Sequence, residues 1–316
     1  MARAVATDAR TVPAPLRPAD YELSLPFGGR LRTFLVHVPR VAEAASPLPV
    51  VVNFHGAGSD AVQQRQYTAM NASADRHGYV VVYPNGTGVF PGQRRFLTFN
   101  AGGCCPPATR NDVDDVGFID TILDLLEEKL AIDTQRLYAT GMSNGGMMAH
   151  RMAADSPRIA AVASVAGQLT VKSFRPSRAV SVMEFHSVDD PRARYDARRW
   201  PRASEARRHH LPSVQIGIDR WVAHNGCAPT PVVEEPVWGP RGSLDQGQTL
   251  TRITYGPGRD GTEVVLYRFS GVGHVWPGAA TFLPRLLGPS TTLVDANEVM
   301  WRFFASHPLS SAGAGR

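Results

Sequence analysis

Cysteine is scarce in this chain of 316 residues: Cys104, Cys105 and Cys227 are the only three. Three thiols are too few for a disulfide scaffold and none stands in C-x-x-C spacing, so a zinc site is not expected. The odd count leaves at least one thiol free or paired between chains. Adjacent Cys104 and Cys105 form either a vicinal bridge or two small buried residues. Lysine is scarcer still, with Lys129 and Lys172 alone. The basic charge is therefore nearly all arginine, and no helix-turn-helix, zinc-finger or aromatic-plus-basic pattern accompanies the net charge of +5. A nucleic-acid partner is not expected. Long apolar runs are also missing: nothing approaches the ~20 residues of a membrane span, and the N-terminus lacks the apolar core of a signal peptide. No membrane partner and no export signal are expected, with a secreted or periplasmic location if a leader has been removed.

What is present is the composition of a folded protein with a sizeable core, 43% hydrophobic and 19% charged. No linker, repeat or low-complexity stretch divides it, so a single domain is expected over 20–308. Residues 1–19 and 309–316 read as flexible ends. Tyr21–Leu25 and Arg32–Val38 alternate around Gly28-Gly29 and predict an antiparallel hairpin. Six later runs are nearly continuous in apolar residues: 50–54, 79–83, 136–140, 159–165, 180–185 and 264–269. Such runs mark strands covered on both faces. Helical spacing of Val113, Val116, Ile119, Leu123 and Leu126, with Asp112, Asp114 and Asp115 at the start, predicts a helix between them. Further helices are expected over about 214–224 and 296–306. The alternation implies an α/β fold with a mostly parallel eight-stranded sheet and helices on both faces.

The chemistry centres on Gly141-Met142-Ser143-Asn144-Gly145. A strand precedes it and a helix, about 146–155, follows, which is the setting of a nucleophile elbow. The flanking glycines permit a sharp turn and close backbone approach, so Ser143 is the candidate nucleophile. A serine needs a base, and the base needs a carboxylate. Downstream, one strand runs into His186-Ser187-Val188-Asp189-Asp190-Pro191, where either aspartate is available. The last apolar strand runs into Gly271-Val272-Gly273-His274, which supplies the base. The order Ser, Asp, His is that of the α/β-hydrolase fold. Upstream, strand 48–54 ends in His55-Gly56-Ala57-Gly58-Ser59, a loop suited to offer the Ala57 N–H to an oxyanion. The Asn144 N–H would be the second donor. The same loop lacks the Lys-Ser/Thr and spacing of a phosphate-binding loop.

With these motifs in hand, the chain resembles the polyhydroxybutyrate depolymerase family of esterases, with its feruloyl-esterase-like members, over about residues 21–307. The resemblance rests on His55-Gly56, Tyr83-Pro84-Asn85-Gly86, Ala101-Gly102-Gly103-Cys104-Cys105, Val113-Asp114-Asp115-Val116-Gly117-Phe118 and the run from Tyr138 to Met148. It continues through Asp190-Pro191, Trp221, Asn225-Gly226-Cys227 and Gly273-His274-Val275-Trp276-Pro277-Gly278. It implies Ser143, Asp190 and His274 as the triad, selects Asp190 over Asp189, and matches Ala57 and Asn144 to the oxyanion donors. Trp276, beside the histidine, and His55 with Gly56 are the expected substrate-binding residues.

Three departures stand out. Ser187 follows His186 where the family usually has glycine. Cys227 lacks its usual partner, since Tyr255-Gly256-Pro257-Gly258 occupies that region. The segment 192–210 is longer and more basic, with seven arginines between Arg192 and Arg208 around Trp200. It reads as a solvated surface loop or as a cap at 191–213 whose arginine grips a substrate carboxylate. The resulting expectation is a serine carboxylesterase with no cofactor and no metal, acting on aryl (feruloyl-type), short-chain or oligomeric polyester substrates. The rival readings are a peptidase of the same fold and a catalytically silent binding protein.

Overall fold

Two-sided burial of short apolar runs builds the centre of the molecule. The computed structural model describes residues 7–40, 47–196, 211–281 and 283–309. Its strands are Thr7–Asp8 (β1), Ala19–Phe27 (β2), Arg30–Val38 (β3), Leu48–Phe54 (β4), Val80–Pro84 (β5), Ile132–Met142 (β6), Ala161–Val165 (β7) and Ser181–Ser187 (β8). Val232–Val233 (β9), Val237–Trp238 (β10), Thr249–Tyr255 (β11) and Val264–Ser270 (β12) complete them. The helices are Ala61–Thr68 (α1), Met70–His77 (α2), Asp115–Lys129 (α3), Asn144–Asp155 (α4), Val214–Asn225 (α5), Pro284–Leu287 (α6) and Ala296–Ala305 (α7).

The sheet runs β1-β2-β3-β5-β4-β6-β7-β8-β12-β11-β10, with β9 on β11. From β5 to β12 all neighbours are parallel. Alternate residues of one strand feed opposite cores. Val50, Val52 and Phe54 of β4 pack with residues of α3, α4 and α5, while Val51 faces the other side with residues of α2 and α7. That is why these strands read as continuous apolar runs. The hairpin β2–β3 closes through Gly28 and Gly29, both at positive φ (56° and 71°), the conformation a two-residue turn of this hand requires.

All eight expected strands form, but the sheet has twelve. Strands β1, β9 and β10 have two residues each, too few to show a period of two. Strand β11 was missed although its Thr251, Ile253 and Tyr255 alternate inward at the antiparallel edge. The N-terminal stretch also differs from expectation from Thr7 onward. Strand β1 pairs with β2, Ala9 and Leu16 are buried, and Leu16 N donates to Lys129 O at 2.9 Å. Two apolar anchors among polar residues leave no periodic signal. Helices α1 and α2 went unread because their sequences are largely polar; Ala69, at φ 48°, separates them. Among the described residues no helix is long and apolar enough to cross a membrane. Arg192 and Arg194 are described, whereas Arg198, Arg199, Trp200, Arg202, Arg207 and Arg208 lie outside the described residues.

Phe118 joins the leading hairpin to α3: its ring meets Phe27 and Phe34 at 5.9 and 6.3 Å, and Arg32 lies over it at 3.9 Å. Phe118→Ala is expected to cost about 3–5 kcal/mol, read as a lower urea midpoint with an unchanged slope.

Candidate active site

Four loops lie at the carboxyl ends of the parallel strands, following β4, β6, β8 and β12. The sharpest is the turn from β6 into α4. Ser143 sits at φ 56°, ψ −118°, a conformation that non-glycine residues adopt only when their surroundings impose it. Its N–H donates to Val165 O at 2.7 Å and its carbonyl accepts from Met147 N at 2.9 Å. The turn is pressed against the end of β4. A Cβ on Gly145 would stand 2.2 Å from Phe54 O and 2.7 Å from His55 O. Only a glycine fits there.

The loop after β4 is held by His55, whose ring is fully buried. One ring nitrogen, Nδ1, lies 2.8 Å from Gly56 O, and the other, Nε2, accepts from Gly86 N at 3.0 Å. Burial pushes this imidazole down to about 4, so the ring is neutral at working pH. Both ring nitrogens of His55, an expected substrate-binding residue, are thus engaged within the protein and hold the loop. Gly56 does approach the nucleophile candidate, a Cβ on it falling 3.5 Å from Ser143 Cβ. Ala57 is exposed beside it. Asn144 is the first residue of α4, so its N–H belongs to the unpaired first turn.

The Asn144 side chain has a separate task. Its Oδ1 accepts from Phe99 N at 2.8 Å and its Nδ2 donates to Phe99 O at 3.0 Å. Phe99 is followed by Asn100, whose N–H donates to buried Asp115 at 2.7 Å, and Asp115 pairs with buried Arg32 at 2.6 Å. Burial raises the Asp115 carboxyl, opposed chiefly by the Arg32 charge. Sequence reasoning missed this support. It took Asp115 as a helix-end charge, whereas Asp114 is the cap, accepting from Gly117 N at 2.8 Å. The available signal was Arg32 itself, a charged residue at an inward position of an alternating strand.

The two aspartates of the acid loop have different partners. Asp189 Oδ2 accepts from Gly271 N at 2.7 Å and Ser270 Oγ at 3.2 Å, tying the loop to the end of β12. Asp190 is buried; its Oδ2 lies 2.7 Å from His274 Nδ1, and its Oδ1 accepts from Arg192 N and Ala193 N at 2.7 and 2.8 Å. Burial would raise the Asp190 carboxyl, but His274, His186 and the Ala193 N–H together hold it below the ordinary value. Ser187, where the family pattern has glycine, donates to Val272 O at 2.5 Å and accepts from Asp189 N at 3.2 Å. The serine thus stitches the acid loop to the histidine loop.

His274 and Asp190 are joined directly. Ser143 Oγ makes no hydrogen bond among the described residues, and reaches this group through the strand order alone. Trp276 is almost fully buried, its N–H bonded to Tyr67 Oη at 3.0 Å and its indole to Asn297 Oδ1 at 3.2 Å. It borders a cavity of about 710 Å³ between α1–α2 and residues 276–280. Cys104 and Cys105 form a vicinal disulfide, and Cys227 is a buried free thiol.

A parallel sheet with a glycine-flanked serine turn at its carboxyl edge, and an aspartate-bound histidine three strands away, is the arrangement of an α/β-hydrolase. The family model described as Esterase PHB depolymerase matches residues 33–214, more than half of the chain, and the chain belongs to that family. NocK of Nocardia uniformis subsp. tsuyamanensis, which carries an esterase assignment, is 30% identical over 82% of this chain and 75% of its own length. Feruloyl esterase B of Neurospora crassa is 27% identical over 72% of this chain and 78% of its own. The acetyl xylan esterase from Aspergillus awamori superposes with a TM-score of 0.54 at 15% identity, over 81% of this chain and 94% of that one, which shows the shared fold.

The Gly145 contact gives a direct test. Gly145→Ala must push the turn away from β4 by the order of 1 Å, a displacement able to cost about 10²-fold in rate. We expect kcat/KM on p-nitrophenyl acetate to fall on that scale, and wild-type turnover would show that the turn tolerates the methyl.

Proposed function

We propose that this ester hydrolase works as a serine carboxylesterase with Ser143 as nucleophile, His274 as base and Asp190 as orienting acid. The observation that carries the reading is the 2.7 Å contact between His274 Nδ1 and Asp190 Oδ2. With its proton held on Nδ1 by the carboxylate, the imidazole has Nε2 unprotonated and able to accept the serine proton. The Ser143 oxygen then attacks the ester carbonyl carbon, and the carbonyl oxygen takes up negative charge. The N–H groups of Ala57 and Asn144 stabilise it. His274 returns the proton to the leaving alcohol, leaving an acyl-serine. A water gives a proton to Nε2 as its oxygen attacks the acyl carbon; Nε2 then returns that proton to Ser143 Oγ as the acyl-serine bond breaks, and the acid product leaves.

The substrate class we propose is an aryl, short-chain or oligomeric ester. Feruloyl and acetyl esterase names among the relatives support aryl and short acyl groups. A panel of p-nitrophenyl esters, methyl ferulate and hydroxybutyrate oligomers separates these members by kcat/KM.

Ser143→Ala is expected to lower kcat by roughly 10⁶-fold and to abolish labelling by a fluorophosphonate, with thermal unfolding unchanged. Substantial residual turnover would remove Ser143 from its role. Asp190→Asn is expected to cost about 10⁴-fold, as for a triad carboxylate replaced by its amide. Asp189→Asn should act mildly, because an amide oxygen still accepts from Gly271 N. A reversed ranking in the same assay would transfer the orienting role to Asp189.

A further inference from the structure

Beside the site lie four buried groups that the chemistry above does not use: Glu184, His186, His150 and Trp221. Their contacts fix most of their protons. The Trp221 indole N–H can only donate, and it faces His150 Nδ1 at 3.2 Å. That nitrogen is therefore bare. The His150 proton sits on Nε2 and points at Glu184 Oε2, 3.2 Å away. The second carboxylate oxygen, Oε1, is 2.8 Å from His186 Nδ1. At the other side of the ring, His186 Nε2 is 2.6 Å from the Ala193 carbonyl oxygen, which can only accept. Nε2 thus carries a proton.

One proton remains, shared between Glu184 and His186 Nδ1. Its place follows from the groups around the ring. Glu184 faces the imidazole from its own strand, and Asp190 Oδ2 from the acid loop at 3.8 Å. The Tyr195 ring stands edge-on at 6.0 Å, and Arg268, the register partner on β12, is exposed. Two carboxylates and a carbonyl oxygen therefore surround the ring. Burial lowers the His186 imidazole and raises the Glu184 carboxyl; hydrogen bonding and charge overcome this at both, leaving His186 above and Glu184 below their ordinary values.

We infer that His186 is a buried imidazolium that positions the acid: it clasps the Ala193 carbonyl, so that the Ala193 and Arg192 N–H groups cap Asp190 Oδ1, and its charge faces the carboxylate oxygen that His274 engages. The consequence is a competition. When His274 becomes protonated, two cations share Asp190, and the imidazolium of His274 is held less tightly than by an unshared carboxylate. His186 therefore keeps the base in its bare form to lower pH. It acts through Asp190 and is a positioning residue.

The kinetic arm of the test rests on the serine-esterase reading; the spectroscopic arm does not. His186→Gln keeps an N–H for the Ala193 carbonyl and removes the charge. We expect the acid limb of the kcat/KM profile on p-nitrophenyl acetate to move up by about one pH unit, about a tenfold loss on that limb. A rate lowered equally at every pH, with the limb unmoved, would overturn the inference. Nitrogen-15 histidine spectra of the native protein decide the point without any variant. At a pH of about 8, one buried imidazole should still show protons on both ring nitrogens, slow to exchange. If every buried imidazole carries a single ring proton there, His186 is neutral and the inference fails. If the spectra show the imidazolium but no ester is hydrolysed, only the functional reading is lost.

Discussion

The close approach of the serine turn to the end of β4 is the constraint on which the site depends. Phe54 and His55 offer carbonyl oxygens where any side chain at Gly145 would sit, so turn and strand share one surface. The contact sets two things together. It fixes where Ser143 stands, and it fixes how far the His55-Gly56-Ala57 loop lies from it. The positive φ at Ser143 costs about 1–3 kcal/mol. The cost is tolerated because the flanking structure is over-determined: Val165 O holds the serine N–H, and Asn144 is bolted to Phe99 by two hydrogen bonds.

Around that contact, buried charge does the bracing, and it does so in pairs. Arg32 with Asp115 holds the loop carrying Phe99, on the nucleophile side. Glu184 with His186 holds the Ala193 carbonyl, on the acid side. Neither pair is an economical source of stability, since desolvation consumes much of the attraction. Their value is directional. A buried carboxylate that has lost its partner costs several kcal/mol, so each pair allows its loop few alternatives. Apolar packing of equal volume would fill the same space without specifying where the Ala193 carbonyl points.

The elements that were legible share one property: their signal is local. Strands β4 to β8 and β12 announced themselves as apolar runs because each is covered on both faces. Ser143, Asp190 and His274 stood out as candidates because each lies in the turn or loop that follows such a run. What was missed is non-local or too short. Arg32 and Asp115 are 83 positions apart, and no window holds both. Strands β1, β9 and β10 are shorter than the period they would display. The bracing contact of His55 was hidden for the same reason, because its partner Gly86 belongs to another loop. Between Asp189 and Asp190 the residues alone left two answers, and only the turn at Gly271 shows that the first is already engaged.

The pairing of β8 with β12 has a consequence for how the molecule is made. These strands are neighbours in the sheet, yet Asp190 and His274 are 84 positions apart. On a ribosome, the serine turn, the loop after β4 and the acid all emerge before the histidine strand exists. A nascent chain that ends before β12 therefore holds Asp190 without the ring it contacts. Strand β12 is the last of the sheet in chain order, so the Asp190–His274 contact forms only after every other strand has been made.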